Sequence, residues 1–301
     1  MSELDKPLVV IKIGSSSIVK HDGDDTDIDV AKINGLCRSI NDLREQGYNV
    51  LLVSSGAVAA GAHIIKIPRP QPDDLKGLSA CAAIGQPQLM TFYSEAAKVF
   101  GFAVAQVLLT RSDFHDENAL VYLQRTIGSL FEKGVVPILN ENDVVTNREL
   151  NFGDNDGIAS LITILLQANK FILLTDQDGL LDKDPNQYDD AILIEEITKF
   201  SPSMVDDKAA LSSFGSGGAG AKVVAADLAT YATPGLEAFI ANSDKSSKLI
   251  DILNYKLPST RIKVTTTGIL TAYEAYEVFR TLENFKLQGK SYVPVADFIN
   301  Q

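Results

Sequence analysis

The sequence predicts an α/β fold in which a mostly parallel β-sheet lies between two layers of helices. Five segments are continuous apolar runs without polar alternation, which is typical of strands that are buried on both faces. Helical patterns, with apolar residues three and four positions apart, separate these runs along the chain. Alternating strands and helices favour a parallel sheet covered on both faces, and 301 residues suffice for one large domain, or at most two.

The first half of the chain contains three predicted strands and four predicted helices. Each strand is an apolar run, and the first two runs end in small polar residues. The first predicted helix carries Val30, Ile33, Leu36 and Ile40 on one face. The predicted strands are 7–13, 49–53 and 103–109, and the predicted helices are 28–46, 57–65, 75–99 and 116–132.

The second half continues the alternation. Apolar runs predict three more strands, and helical patterns predict two more helices. Residues 178–196 are predicted to form a hairpin or short irregular strands. Because an amphipathic helical pattern lies in 264–301, we expect a main domain over 1–263 and a C-terminal helical extension of unknown role over 264–301. The strands are 135–139, 170–175 and 236–241, and the helices are 155–168 and 217–232.

Composition argues against several classes of function. The formal net charge of −12 argues against binding to nucleic acids or anionic membranes, because both need a basic surface. The chain has no run of apolar residues long enough to predict a membrane span, and its acidic N-terminus lacks the pattern of a signal peptide. Cys37 and Cys81 are expected to be buried, reduced thiols. We therefore expect a protein of the cytoplasm or of an organelle matrix.

Small and short polar residues follow four of the predicted strands. In parallel sheets, ligands bind beyond the carboxyl ends of the strands, which all meet at one edge. The sequence therefore predicts that these four turns contribute to one binding site. The turns are Lys12-Ile13-Gly14-Ser15, Ser54-Ser55-Gly56, Asn140-Glu141-Asn142-Asp143 and Thr175-Asp176.

Two of these turns also have simpler interpretations. Lys12 could be an edge-strand lysine that extends into solvent, although Gly14 and the serines after it favour a loop that holds phosphate. Ser55 could merely cap the next helix, and the free N–H groups at that helix start could also bind a carboxylate. The sequence leaves these alternatives open.

Two polar clusters, 140–143 and 153–156, flank a probable hairpin. Both are rich in asparagine, aspartate and glycine, so solvated turns are the simpler interpretation. Recognition of an amino acid, however, needs carboxylates for the ammonium group and amides for the carboxylate. Asp154 and Asp156 also flank the start of a predicted helix, where a carboxylate could hold or orient Mg²⁺.

The segment 215–222 is the most glycine-dense part of the chain. It contains the pattern G-x-G-x-x-G, but it follows a serine-rich loop and not a strand, so the dinucleotide-binding context is absent. It also departs from a Walker A loop at Ala221 and Val223, on either side of Lys222. A flexible linker is the alternative, but the helical pattern that follows favours a phosphate clamp.

The residue types at these turns favour direct phosphoryl transfer. Two lysines and two phosphate-binding loops supply positioning and charge neutralisation, which are the main needs of that reaction. His21, His63 and His115 are scattered, so a zinc site or a histidine-based triad has little support. An ionised carboxylate would be a suitable acceptor, because it needs no general base.

Together, these segments resemble those of the glutamate 5-kinases in the amino acid kinase family. The resemblance covers about residues 8–255; it includes 82–86 and 106–111, and the pairing of 140–143 with 153–156 is its most specific part. It implies a three-layer α/β/α sandwich. It also implies transfer of the γ-phosphoryl group of MgATP to the side-chain carboxylate of L-glutamate, the first step of proline biosynthesis.

The resemblance implies roles for individual residues. Lys12 and Lys222 would neutralise the transferring phosphoryl group, and Asp156 would organise the two lysines or the metal. The residues implied in glutamate binding are Ser55, Gly56, Asn140, Asp143 and Asn155. Those implied in ATP binding are Lys12, Gly14, Ser15, Thr175, Asp176, Ser216, Gly217, Gly218, Ala219, Gly220, Ala221 and Lys222.

The chain also departs from the family pattern. The family's loop usually reads Gly-Gly-Met-x-Thr-Lys, whereas Ala219 and Ala221 stand here, and no PUA domain follows as it does in many members. Feedback inhibition by L-proline and a homo-oligomer are expected from the resemblance. The alternatives are kinases of acetylglutamate, aspartate, UMP or isopentenyl phosphate, the kinase half of a pyrroline-carboxylate synthase, and a non-catalytic ligand sensor.

Overall fold

The computed structural model describes residues 6–22, 25–145, 155–183, 185, 188–202, 204, 219–287 and 291–300. Ten strands are defined within these ranges. They are β1 (Leu8–Ile13), β2 (Val19–Asp22), β3 (Asp25–Ile28), β4 (Asn49–Ser54), β5 (Val104–Leu109), β6 (Val136–Glu141), β7 (Lys170–Thr175), β8 (Glu196–Ile197), β9 (Glu237–Asn242) and β10 (Ser259–Ile262).

Helices connect most of these strands. Two short 3₁₀ helices, Arg111–His115 and Ser243–Lys248, follow β5 and β9. The α-helices are α1 (Ser15–Ile18), α2 (Val30–Glu45), α3 (Ala57–Ile64), α4 (Leu75–Val99), α5 (Glu117–Glu132), α6 (Asn155–Leu165), α7 (Ala219–Ala232), α8 (Leu249–Leu253), α9 (Ala272–Leu287) and α10 (Val295–Ile299).

The central sheet has eight strands in the order β5-β6-β4-β1-β7-β9-β10-β8. The first six strands in this order are parallel, β10 is antiparallel to β9, and β8 is parallel to β10. This arrangement confirms the predicted mostly parallel sheet. The carboxyl ends of β1, β4, β6 and β7 therefore lie along one edge of the sheet, as the polar turns required.

The sheet separates two hydrophobic clusters, which confirms the predicted three layers. Val10 on β1 belongs to one cluster with residues of α6 and α7, and Ile11 belongs to the other with residues of α2. Side chains alternate between the faces along a strand. Lys12 has the same parity as Val10, so its side chain leaves the sheet on the face covered by α6 and α7.

Helices α3 and α4 pack at very short range because two glycines meet the backbone of the opposite helix. A methyl group on Gly61 would lie 1.9 Å from the carbonyl oxygen of Cys81. A methyl group on Gly85 would lie 1.9 Å from the carbonyl oxygen of Ala57. No side chain fits such gaps. The close packing sets the position of Gln86, which follows Gly85 and reaches the end of β6.

Several boundaries differ from the predictions. Strand β6 continues through Asn140 and Glu141, two residues beyond its predicted end at 139, and α6 ends at Leu165 rather than at 168. The antiparallel hairpin of β2 and β3 and the strand β10 were not predicted. The hairpin segment 19–28 is mostly polar, so it carries no apolar signal. In 178–196 the structure shows one antiparallel bridge, between Leu181 and Leu193.

Two further expectations concern the cysteines and the membrane. Cys37 and Cys81 are both buried and free, as predicted, and burial raises the pKa of Cys37 to about 12. Within the described ranges, no helix combines the length and the apolar character that crossing a bilayer would need.

Candidate functional site

Three charged side chains meet beneath the carboxyl edge of the sheet. Nζ of Lys12 lies 2.7 Å from Oδ1 of Asp156, and Nζ of Lys222 lies 3.1 Å from Oδ2 of the same carboxylate. The exposed fractions are 1% for Lys12, 1% for Asp156 and 3% for Lys222. We call these residues the charged triad. It combines two ammonium groups with one carboxylate, and so carries one surplus positive charge.

Each member of the charged triad comes from a different element. Lys12 lies on β1, between Val53 of β4 and Leu173 of β7, so it is a central residue of the sheet and not an edge lysine. Asp156 lies in the first turn of α6, where the helix dipole favours a carboxylate. Lys222 lies in the first turn of α7, where the dipole is unfavourable for a cation. Asp156 offsets that cost.

Gly14 lies directly beside the charged triad. A methyl group on Gly14 would be 3.6 Å from Nζ of Lys12, an ordinary van der Waals contact. The backbone after β1 therefore passes close to the ammonium group. Ser15 follows at the start of α1 and is half-buried.

A chain of side-chain hydrogen bonds, which we call the amide chain, runs from Ser55 after β4 through Asn155, Asn140 and Gln86 to Gln106 on β5. The amide nitrogen of Asn155 donates to Oγ of Ser55 at 2.7 Å and to Oδ1 of Asn140 at 2.9 Å. The amide of Asn140 donates to Oε1 of Gln86 at 2.9 Å, and Gln86 donates to Gln106 at 2.9 Å. Three of the predicted substrate residues, Ser55, Asn140 and Asn155, thus lie together, and Asn155 is the neighbour of Asp156 in the chain.

Ser55 does not act as a helix cap. The N-cap of α3 is Gly56, with φ of 118° and no side-chain capping bond. This positive φ is the left-handed region that favours glycine, and a methyl group there would lie 2.7 Å from Cδ1 of Ile18. Ser55 instead accepts the hydrogen bond from Asn155. The contact therefore supports the ligand-site interpretation of this turn over the plain cap.

A cavity of about 270 Å³ adjoins this amide chain. Asp143 lines it, and its backbone carbonyl accepts a hydrogen bond from Ser79 of α4 at 2.8 Å, which fixes the turn after β6. The polar lining consists of amide and carboxylate side chains. The lining residues are Ala57, Ala82, Ala83, Gln86, Pro87, Gln106, Leu108, Glu141, Asn142, Asp143 and Val144.

Gln86 and Gln106 were not predicted as site residues. Both occur in segments that the resemblance singled out, but each was taken only as part of a motif. The signal that identifies them is a polar amide among small or apolar neighbours, in Ala-Ala-Ile-Gly-Gln and in Ala-Gln-Val-Leu-Leu. Gln86 is buried and so needs a hydrogen-bond partner, whereas Gln106 is exposed and is identified only by its contact with Gln86.

A second group of polar residues lies at the ends of β7 and β9. Ile13 of β1 pairs with Leu174 of β7, so Gly14 and Thr175 leave the sheet side by side. Asp176 follows, and its carbonyl oxygen accepts a hydrogen bond from Asn242 at 3.4 Å. The turn therefore lies on the opposite side of β1 from the amide chain.

Asp178 ties this turn to the segment after β9. Its Oδ1 accepts hydrogen bonds from Lys245 at 2.6 Å and from Asn242 at 3.2 Å. The bond from Lys245 lowers the pKa of Asp178 below its ordinary value, against a smaller opposing effect of burial. The turns after β7 and β9 are thus held together by an ionic contact.

Part of the predicted site lies outside the described residues. Ser216, Gly217 and Gly218 of the glycine-rich segment are among them, as are Gly153 and Asp154. Ala219 to Lys222 form the first turn of α7.

The contacts of Asp156 bear on the two roles left open for it. Both of its oxygens face ammonium groups, which supports the role of organising the lysines. In the part of the chain that the structure describes, no group of three or more His, Cys, Asp or Glu side chains is arranged to hold a metal ion. The two ammonium groups around the carboxylate fit the neutralisation of phosphate.

The sequence is similar to sequences of one known protein family. The sequence profile of the amino acid kinase family matches residues 7–242. "Glutamate 5-kinase 1" of Bacillus licheniformis is 41% identical over 249 residues, which are 82% of this chain and 67% of that protein. "Glutamate 5-kinase" of Clostridium acetobutylicum is 36% identical over 253 residues, which are 84% of this chain and 92% of that protein.

Solved structures show the same fold. Carbamate kinase from Giardia lamblia bound to AMP-PNP superposes with a TM-score of 0.61 at 21% identity, over 87% of this chain and 99% of that one. The product complex of T. acidophilum isopentenyl phosphate kinase superposes with a TM-score of 0.55 at 16% identity, over 85% of this chain and 100% of that one. At such low identity the likeness concerns the fold alone.

Proposed function

This chain belongs to the amino acid kinase family, and from this premise we propose that it is a glutamate 5-kinase. In this reaction the γ-phosphoryl group of MgATP is transferred to the side-chain carboxylate of L-glutamate, giving L-glutamyl 5-phosphate and ADP. The observation that carries the proposal is the buried charged triad. Asn155, the neighbour of Asp156 in the chain, connects it through Asn140 to Gln86, which lines a cavity whose polar side chains are amides and carboxylates. The similarity to glutamate 5-kinases over most of the chain supports the choice of substrate.

The two lysines of the charged triad provide the electrostatic part of catalysis. A lysine ammonium about 4 Å from a phosphate oxygen contributes about 4 kcal/mol at an effective dielectric constant near 20. Asp156 offsets part of the attraction but holds both ammonium groups at fixed positions. Phosphoryl transfer requires positive charges at fixed positions, which neutralise the negative charge of the transition state. We therefore assign the catalytic roles to Lys12, Asp156 and Lys222.

The acceptor carboxylate of glutamate needs no general base, because it is ionised at neutral pH. The amides of Asn155 and Asn140 and the hydroxyl of Ser55 carry N–H or O–H donors, which makes them suited to bind carboxylate groups. Asp143 supplies a negative charge for the ammonium group at the rim of the cavity. Gly56, whose backbone opens α3 beside Ser55, completes the proposed substrate residues.

ATP is proposed to bind on the other side of β1. Gly14 and Ser15 follow β1, Thr175 and Asp176 follow β7, and the residues from Ala219 to Lys222 open α7. Ser216, Gly217 and Gly218, which precede Ala219 in the sequence, are proposed to contribute as well. Loops of small residues at helix starts bring backbone N–H groups close to phosphate oxygens. Mg²⁺ would enter with ATP as part of the substrate, and metal ligation by Asp156 stays a prediction.

The remaining expectations follow from the sequence or from the resemblance. We propose a cytoplasmic enzyme that acts in proline biosynthesis, forms a homo-oligomer and is inhibited by L-proline. We also propose a kinase domain over 1–263, with 264–301 as a C-terminal extension.

A coupled assay tests the proposal. ADP release is measured with each candidate acceptor, and hydroxylamine is added to trap an acyl phosphate as its hydroxamate. We expect ADP release and hydroxamate only with L-glutamate, and neither with acetylglutamate, aspartate, UMP or isopentenyl phosphate. Measurable ATP binding without turnover on any acceptor would favour a non-catalytic sensor, which the alanines at 219 and 221 make a relevant alternative.

A further inference from the structure

The C-terminal segment, residues 264–300, lies beyond the residues that the family profile matches. Its helix α9 contacts both α6 and α7, and its helix α10 contacts α7. These two covered helices are the ones that carry Asp156 and Lys222. The apolar side chains of α9 and α10 belong to the same hydrophobic cluster as those of α6 and α7.

The contact with α6 is made directly beside the charged triad. A methyl group on Gly157 would lie 2.6 Å from Cζ and 2.9 Å from Cε1 of Phe279. The ring therefore rests on the backbone of the residue that follows Asp156. Phe279 is itself buried, with 7% of its surface exposed, and the guanidinium of Arg111 lies 5.3 Å from the ring centroid.

The contact with α7 is polar and buried. Oδ2 of Asp227 accepts hydrogen bonds from the hydroxyl of Tyr292 and, at 2.8 Å, from the backbone N–H of Val295. The exposed fractions of Asp227, Tyr292 and Val295 are 3%, 8% and 0%. A buried carboxylate held by two donors from one segment fixes that segment strongly, because losing either bond leaves a buried charge poorly satisfied.

The two contacts bear on one distance in the charged triad. Asp227 lies on the same helix as Lys222, and Gly157 lies next to Asp156. The helices also touch each other, since Oγ of Ser160 donates to the carbonyl of Ala225 at 2.8 Å. A shift of α7 against α6 would therefore change the 3.1 Å separation between Lys222 and Asp156.

We propose that the C-terminal segment holds α6 and α7 at the separation that the charged triad needs, with Phe279 and Tyr292 as positioning residues for phosphoryl transfer. The inference rests on the proposed function for its kinetic consequence. A displacement of about 1 Å at a catalytic group costs on the order of 100-fold in rate. The effect should fall on kcat, because neither residue lies at the cavity or at the predicted nucleotide turns.

Phe279→Leu and Tyr292→Phe test the proposal, with Phe131→Leu as the matched control. Phe131 is also 7% exposed and belongs to the same hydrophobic cluster, but it lies in the last turn of α5, just before the start of β6 and so away from the carboxyl ends of the strands. All variants are measured below their unfolding transitions. We expect both positioning variants to lose about tenfold or more in kcat with a KM for glutamate within about threefold of that of the wild type, and the control to keep its kcat.

A rescue experiment separates positioning from general loss of stability. Gly157→Ala alone places a methyl group against the Phe279 ring and should lower kcat in the same way. Adding Phe279→Leu to Gly157→Ala makes room for the methyl group, so the double variant should recover part of kcat over Gly157→Ala. A purely stabilising role predicts an unchanged kcat in all of these variants, because they are measured below their unfolding transitions.

A crystal structure of Gly157→Ala provides a readout that needs no turnover. The expected result is a longer separation between Lys222 and Asp156 than 3.1 Å. Unchanged kcat in Phe279→Leu and Tyr292→Phe, with an active wild type, would overturn the inference. If the wild type does not phosphorylate glutamate, the proposed function fails, and the crystal structure then decides the positioning role: an unchanged separation would refute it.

Discussion

Replacing Asp227 by asparagine should remove one contribution to the pH dependence of the free energy of unfolding. Burial raises the pKa of Asp227 from its ordinary value of 3.8 to about 6, although hydrogen bonds from Tyr292 and Val295 act in the opposite direction. The folded protein therefore binds a proton on this carboxyl more tightly than the unfolded chain does. Stability must then fall as the pH rises from about 4 to about 6, and the loss is complete above about pH 7.

The size of the effect follows from the two pKa values. The full shift is worth about 3 kcal/mol, at about 1.36 kcal/mol for each pH unit of difference. About 1.4 kcal/mol of that falls between pH 5 and pH 8, a convenient range for measurement. Asparagine keeps an acceptor oxygen for Tyr292 and Val295 but cannot ionise. Between pH 5 and pH 8, the free energy of unfolding of the wild type should therefore fall by about 1.4 kcal/mol relative to that of Asp227→Asn.

Urea denaturation at several pH values measures this difference, and Glu237→Gln is the matched control. Burial raises the pKa of Glu237, but hydrogen bonds from Lys170, Arg261 and Lys263 outweigh it and lower that pKa to about 2. Its stabilisation is lost only as the pH falls from about 4.5 towards 2, below the measured range. Glu237→Gln should be less stable than the wild type, with a parallel pH curve. If the pH curve of Asp227→Asn is also parallel to that of the wild type, the raised pKa of Asp227 in the folded protein is refuted.

Three further predictions concern the site and its scaffold. Lys222→Ala should lower kcat by on the order of 100-fold or more while glutamate binding changes little, and Lys183→Ala, an exposed lysine, should change neither; equal losses in kcat and binding would contradict the clamp. Asn155→Ala should raise KM for glutamate about tenfold because its hydrogen bonds to Ser55 and Asn140, which hold these two proposed substrate residues in place, are lost; an unchanged KM in steady-state assays would remove it from the substrate site. Gly85→Ala should lower the free energy of unfolding by about 1–3 kcal/mol through the contact with the carbonyl of Ala57, measured in urea; wild-type stability would refute the close packing.

Lys12 shows how far the sequence leads. A lysine in an apolar run before a glycine predicted either a solvent-exposed edge residue or a phosphate ligand. Only the register decides, because β1 pairs with β4 on one side and β7 on the other and so has no free edge. The apolar runs predicted the strands, since burial on both faces leaves a clear composition. The order of strands depends on long-range contacts that no local pattern contains.

The amide chain marks the limit of prediction from sequence. Asn140 and Asn155 were predicted from a polar cluster, but Gln86 and Gln106 were not, because one lies on a helix and the other on a strand. Their role appears only when Gly85 brings α4 close to α3 and so aligns Gln86 with Asn140. Three-dimensional packing, and not the residue type, makes these amides part of the site.

The acidic composition and the cationic site are compatible for an electrostatic reason. Surface charges are screened by salt over about 10 Å at 0.1 M, whereas buried charges are screened much less. The members of the charged triad are at most 3% exposed, so its surplus positive charge dominates the field at that point despite the net charge of −12. The same net charge still disfavours an extended polyanion, which would need a basic surface along its whole length. A small anionic substrate needs only two lysines, provided that the helices carrying their carboxylate partner and the second lysine stay in register.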